Sequence, residues 1–385
     1  MSNFAKAILG LIILVLLVAG LSYWGQKISQ PTADTVEVET GPIKIGFIGP
    51  LTGDAVAYGE PARNMMSLAV EEINNAGGVN GRMLEMIYED GKCTGLTSSN
   101  AAQKLINVDG VKVLTTFCSG ETLSVVPIAE GAKVLLTSSG ASTPDLTGKS
   151  QFFFRNYPSD ATQGMVLAQY ASEQGWKKVA VIQEQSDYAL GNYQAFSENF
   201  EKLGGETVKE EFLPNATDFR SSLTKLKGQN PDALFVDPQT PANGERILRQ
   251  LKDLNWKPKL LVNDALSGDP KTVANNKDIL EGAAAAEFGV DPDNEKFQKM
   301  LASYKAKYGE EPPFQSYAQT EYDMVYLIAD GVRAVGTDGE KLASWSRTIK
   351  DWSGASGLVT IGANGDRAGG HVLKVIKNGK TELAG

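Results

Sequence analysis

From Ile43 onward, short apolar segments of strand length alternate with amphipathic segments of helical period, and this alternation constrains the fold more than any single motif. Ile43–Ile48 reads as a strand, Pro61–Asn74 as a helix with Met65, Leu68, Ala69 and Ile73 on one face, and Met83–Tyr88 as the next strand. A helix near Ser98–Asn107, strand Val113–Phe117, a helix near Glu121–Gly131 and strand Val134–Thr137 continue the series. A second series opens near Asp160. It runs through helix Ala161–Glu173, strand Val179–Gln183, helix Leu190–Leu203 and strand Glu206–Phe212. Helix Asp218–Lys227, strand Ala233–Val236, helix Asn243–Leu254 and strand Lys259–Val262 complete it. Strands separated by helices pair in parallel, and the helices then cover both faces of the sheet. The expected fold class is α/β, with two doubly wound parallel-sheet lobes. After Glu287 come helix-like segments Asn294–Tyr308, Gln315–Val335 and Glu340–Asp351, then strands Leu358–Ile361 and His371–Ile376. The chain is thus expected to leave the second lobe, add helices elsewhere and return, which makes a multi-crossing hinge. The predicted division is 43–158 with 286–355 for the first lobe, and 159–285 with 356–385 for the second.

Composition narrows the function. A chain of 385 residues has room for two such lobes. Lys and Arg number 37 against 46 Asp and Glu, a net charge of −9, which argues against nucleic acid as a partner. The single histidine, His371, excludes a multi-histidine metal site and weighs against a Ser-His-Asp triad. Two cysteines cannot form a four-thiolate centre. No catalytic residue, metal or cofactor is therefore expected, and ligand binding becomes the leading class.

Residues 1–25 are expected to be a signal or membrane-anchor helix. Ala7–Trp24 is uncharged throughout, and as a helix would span ~27 Å, close to the thickness of a hydrocarbon core. Val18-Ala19-Gly20 offers a small-residue cleavage site, whereas Tyr23 and Trp24 suit the interfacial anchor of an uncleaved helix. Both readings place the remainder outside the cytoplasm, periplasmic or at the outer face of the membrane. Residues 26–42, with a proline and little periodicity, read as a polar tether.

Ligands in doubly wound folds bind beyond the carboxyl ends of the strands. The first strand ends in Gly49-Pro50-Leu51-Thr52-Gly53, with Tyr58 at the rim of the loop, either packing or meeting a ligand. The third runs into Phe117-Cys118-Ser119-Gly120, where a helix begins. Ser119 either caps that helix or offers its hydroxyl, beside free backbone N–H groups, to a carboxylate. The fourth ends in Thr137-Ser138-Ser139-Gly140-Ala141-Ser142-Thr143, small and rich in hydroxyls.

Several segments together resemble the branched-chain amino-acid binding proteins, the solute receptors of bacterial ABC importers. They are IKIGFIGPLTGDAVAYG at Ile43–Gly59, AVEEINNAGGVNG at Ala69–Gly81, LTSSGASTPDL at Leu136–Leu146, FFFRNYPSDATQG at Phe152–Gly164 and ATDFRSSLTKLK at Ala216–Lys227. The resemblance extends over nearly all of Ile43–Gly385. It implies a monomer that closes two lobes around an amino acid and delivers it to an ABC permease in the membrane. It also implies that Ser119, Gly140, Ala141 and Ser142 hold the ligand carboxylate. Asp264 stands where relatives use a glutamate for the α-ammonium, although a solvated loop carboxylate is the plainer reading. Tyr58 and Tyr188 match pocket aromatics, and Tyr317 lies near a crossing. Cys93 and Cys118 stand where the leucine-binding members carry a disulfide, which over ~25 residues stabilises by roughly 3–4 kcal/mol. Two departures qualify the ligand: at Pro238-Gln239-Thr240, where relatives carry tyrosines, this chain has an amide and a hydroxyl, and Glu121 replaces a small polar residue near the pocket mouth. A polar or longer amino acid, or an amide-type solute, stays open.

Other signals carry less. Thr143–Ser150 lacks the first glycine of a phosphate-binding loop and holds Pro144 inside it. The neighbouring acids Glu71-Glu72 and Glu210-Glu211 cannot flank one substrate. The sequon Asn215-Ala216-Thr217 has no role in a chain of bacterial character, and His371 reads as structural. The alternatives are a ligand-sensing receptor of the same fold signalling to a membrane partner, and an α/β enzyme, for which no nucleophile–base pair is visible.

Overall fold

Strand β1 (Ile43–Gly49) lies inside its sheet, paired on both edges, and both faces of it are apolar. Ile43, Ile45 and Phe47 point into one core cluster, while Ile48 points into another. A computed structural model describes residues 41–384 and nine positions within residues 2–16. Of these nine, positions 4, 5, 8, 10, 12 and 14–16 are helical. The rest of the expected Ala7–Trp24 helix and nearly all of the tether lie outside the described residues. No helix among the described residues is long and apolar enough to cross a membrane.

β1 is flanked by β2 (Leu84–Asp90) and β3 (Val113–Thr116), followed by β4 (Leu135–Ser138) and β5 (Phe153–Arg155). All are parallel, in the order β2-β1-β3-β4-β5. Helices Val56–Asn75 and Gln315–Val335 cover the Phe47 face, and Gly95–Lys104 with Ser119–Gly131 the Ile48 face. Burial on both faces is what a parallel sheet requires.

The second sheet contains β6 (Lys178–Glu184), β7 (Glu206–Phe212), β8 (Ala233–Asp237), β9 (Lys259–Val262) and β10 (Ala284–Phe288). β11 (Trp352–Gly354) and β12 (Gly357–Val359) form a separate antiparallel ribbon, and β13 (His371–Lys377) and β14 (Lys380–Leu383) return to the second sheet. Its order is β14-β13-β10-β9-β8-β6-β7. β6 alternates Ala180 and Ile182 into one cluster with Val179 and Val181 into the other. The parallel expectation needs one correction. β13 runs antiparallel to β10, and β14 to β13, through a tight turn at Asn378 and Gly379, both with positive φ.

The chain passes between the sheets at 156–159, 289–294 and 360–370. Between the second and third passages, Phe297, Met300, Met324, Leu327 and Leu342 join the core of the first sheet, as do Val359 and Ile361. The strand ends of both sheets meet at one cleft.

Candidate functional site

Ser119 opens the helix Ser119–Gly131 but does not cap it. The N-cap is Cys118, whose N–H donates to Glu121 Oε2 at 2.9 Å. The Ser119 hydroxyl instead accepts from the N–H of Ser142 (3.3 Å) and of Thr143 (3.2 Å). The two preceding N–H groups, of Gly140 (3.4 Å) and Ala141 (3.0 Å), donate to Ser138 Oγ. Four successive backbone donors thus converge on two serine oxygens beside a helix N-terminus, a cradle suited to a carboxylate. Arg155 braces it from behind. Fully buried, it donates to the carbonyls of Ala141 (3.2 Å) and Thr143 (2.8 Å) and pairs with Asp366 (2.8 Å).

Across the cleft, β9 ends at Val262 and a short helix begins at Asp264, which is fully buried. Its carboxylate is the meeting point of three phenols: Tyr188 donates to Oδ1 (2.5 Å), while Tyr157 (2.8 Å) and Tyr317 (2.7 Å) donate to Oδ2. Burial, and next the Asp264 charge, push all three hydroxyls well above the usual tyrosine range, so they remain neutral donors. The plainer reading of Asp264 as a solvated loop carboxylate does not hold. A carboxylate has about four acceptor sites, so three phenols leave room for one further donor.

A cavity between the lobes is lined by Tyr58, Ser119, Gly140, Tyr188, Gln239 and Tyr317 among others, so six of the nine expected residues share it. Ala141 and Ser142 lie in the cradle behind it, and Asp264 is reached through the phenols. Aromatic rings close the wall: Tyr58 stands 5.4 Å from Phe117 and 4.7 Å from Phe314, and Tyr317 lies 4.6 Å from Tyr157. The Tyr58 hydroxyl crosses the cleft to the Gln239 carbonyl at 3.1 Å.

Sequence reading missed Tyr157, although it lies in the quoted crossing segment, and it missed Asp160. Asp160 is fully buried, and neither carboxylate oxygen makes a hydrogen bond among the described residues. Burial and then the Asp264 charge push its pKa well up. His371, 3.9 Å from Asp160 and 2.7 Å from the Thr162 hydroxyl, is driven down to about 3 by burial and is neutral at ordinary pH. Cys93 and Cys118 form a disulfide with Cα atoms 5.3 Å apart, so their sulfurs are not free to ligate metal beside Glu121. Glu121 is not at the pocket mouth. It is fully buried, accepts from the N–H of Cys93 as well as Cys118 (both 2.9 Å), and titrates near 8 because burial outweighs those bonds.

A family profile described as periplasmic binding protein matches residues 42–377. The chain is 31% identical over 310 residues to the leucine-, isoleucine-, valine-, threonine- and alanine-binding protein of Pseudomonas aeruginosa, covering 78% of this chain and 81% of that one. It superposes on the leucine-binding protein LivK of Thermotoga maritima with a TM-score of 0.82 at 28% identity, covering 89% and 98% of the two chains. The isoleucine complex of the branched-chain amino acid transporter substrate-binding protein LivJ of Streptococcus pneumoniae gives 0.79 at 29% identity, covering 89% and 98%.

Proposed function

The chain belongs to the periplasmic binding protein family, and from that premise we propose that it captures a free α-amino acid between its lobes and hands it to an ABC permease. One observation carries this reading: a backbone N–H cradle for a carboxylate on the first lobe faces a buried, phenol-oriented carboxylate on the second. A zwitterion satisfies both at once. Its carboxylate would accept from the N–H groups of Ser142 and Thr143, taking them over from the Ser119 oxygen that holds them here, and from the Ser119 and Ser142 hydroxyls. Its ammonium would take Asp264, with the buried Asp160 as a second acceptor.

Only the closed arrangement brings both halves to one ligand, so the ligand's differential affinity drives closure. Each charge-assisted hydrogen bond to the ammonium contributes roughly 1.5–3 kcal/mol. The closed form then presents one continuous surface across both lobes to the permease, outside the cytoplasm.

Thermal-shift measurements against the common amino acids test the proposal. Stabilisation by particular amino acids, lost in Asp264→Asn, is expected. A protein that responds to none of them overturns it.

A further inference from the structure

Most polar groups lining the cavity already have partners. Tyr188 and Tyr317 donate to Asp264, Tyr58 donates to the Gln239 carbonyl, and the Ser119 hydroxyl serves the cradle. The exception is the side-chain amide of Gln239, which makes no hydrogen bond among the described residues.

The main chain that presents this amide is held from both lobes. The Gln239 N–H donates to Glu184 Oε2 at 2.8 Å, and its carbonyl receives the Tyr58 hydroxyl of the first lobe at 3.1 Å. The preceding carbonyl, of Pro238, accepts from Asn263 at 2.7 Å. Glu184 is itself oriented by the Asn243 amide at 3.0 Å. A half-buried side chain with an NH2 donor and a carbonyl acceptor is therefore offered to the cavity from a fixed backbone, among aromatic rings that leave it little depth.

We infer that Gln239 is a specificity-determining residue that pairs with a hydrogen-bonding group on the ligand's side chain. The site then takes amino acids with short polar side chains ahead of their aliphatic isosteres. The inference rests on the amino-acid reading of the cleft. An aliphatic side chain would strip water from the amide and return nothing, which costs about tenfold in affinity.

Calorimetric titration of the full chain with isosteric pairs, threonine against valine and asparagine against leucine, tests this. The native protein is expected to favour the polar member by about tenfold in each pair that binds. Gln239→Leu and Gln239→Met, whose backbone bonds are unchanged, should abolish the preference. Equal or stronger binding of valine and leucine by the native protein overturns the inference while leaving amino-acid capture standing, and so does a preference that survives both substitutions. Binding of no amino acid overturns the two together. The native comparison decides the matter even where a variant fails to fold.

Discussion

The Tyr317 hydroxyl, on a helix that packs against the first sheet, donates at 2.7 Å to the carboxylate of Asp264 at the end of a strand in the second. This single bond ties the two lobes together at the point where the ligand ammonium is proposed to bind. Tyr317→Phe keeps the ring contacts with Phe117 and Tyr157 and removes only the donor. A buried carboxylate then loses a charge-assisted partner, so the variant should be less stable without ligand by about 1–3 kcal/mol. Urea denaturation of the ligand-free protein measures this, and an unchanged midpoint would show that the bond contributes nothing.

The close approach of the two lobes also depends on a residue with no side chain. A Cβ at Gly191, in the helix Asp187–Lys202 of the second lobe, would lie 2.4 Å from Thr143 Oγ1 and 2.9 Å from Pro144 Cδ of the first. The Thr143 backbone N–H belongs to the cradle and its side chain is buried, so a larger group at Gly191 presses on the candidate site. Gly191→Val should hold the lobes apart, weaken ligand binding by at least about tenfold, and leave the stability of each lobe intact. Small-angle scattering with and without ligand, beside titration, would expose a variant that still closes normally.

The parts of this architecture that sequence periodicity reveals are those in which local pattern and tertiary role coincide. β6, with Val179, Val181 and Ile182, is apolar and β-branched, and it reads as a strand at once. β10, Ala284–Phe288, begins with three alanines that have no strand preference, and it is a strand only because β9 and β13 pair with it. The same division applies to the site. Ser119, Gly140 and Asp264 follow strand ends, where the topology puts ligands. Tyr157 and Asp160 reach the cleft from a crossing, and Tyr317 from a helix distant in sequence, so their convergence depends on the packing of the lobes. Glu121 shows the opposite failure. The family resemblance puts it near the pocket mouth, yet its side chain turns inward to the N–H groups of Cys93 and Cys118.

That inward turn brings the disulfide beside the candidate site. Lys92 and Cys93 both adopt left-handed backbone conformations, with φ of 53° and 54°, a costly arrangement for residues with side chains. The Cys93–Cys118 bond and Glu121 hold this loop beside Ser119. Replacing both cysteines with alanine should cost roughly 3–4 kcal/mol by loop-closure entropy. It should also weaken ligand binding, because Cys118 adjoins the cavity. Denaturation and titration of the double variant separate the effects. An unchanged affinity at reduced stability would confine the disulfide to the fold.

Glu321 gives the pH dependence a definite sign. It is buried in the helix Gln315–Val335, and burial alone raises its pKa to about 8. The folded protein therefore keeps this carboxyl protonated over a range in which the unfolded chain ionises it. Between the ordinary carboxylate value and about 8, the native state binds more protons than the unfolded one, so stability falls as pH rises. The contribution is complete below the unfolded pKa and is lost by the time pH has passed the folded value. Glu121, also near 8, adds to the trend, but its bonds to two backbone N–H groups make it a poor residue to replace. Glu321→Gln substitutes a neutral group of the same shape. It should raise the urea midpoint at pH 9, change it little at pH 4, and flatten the profile between. An equal effect at both pH values would mean that the Glu321 carboxyl does not titrate across this window.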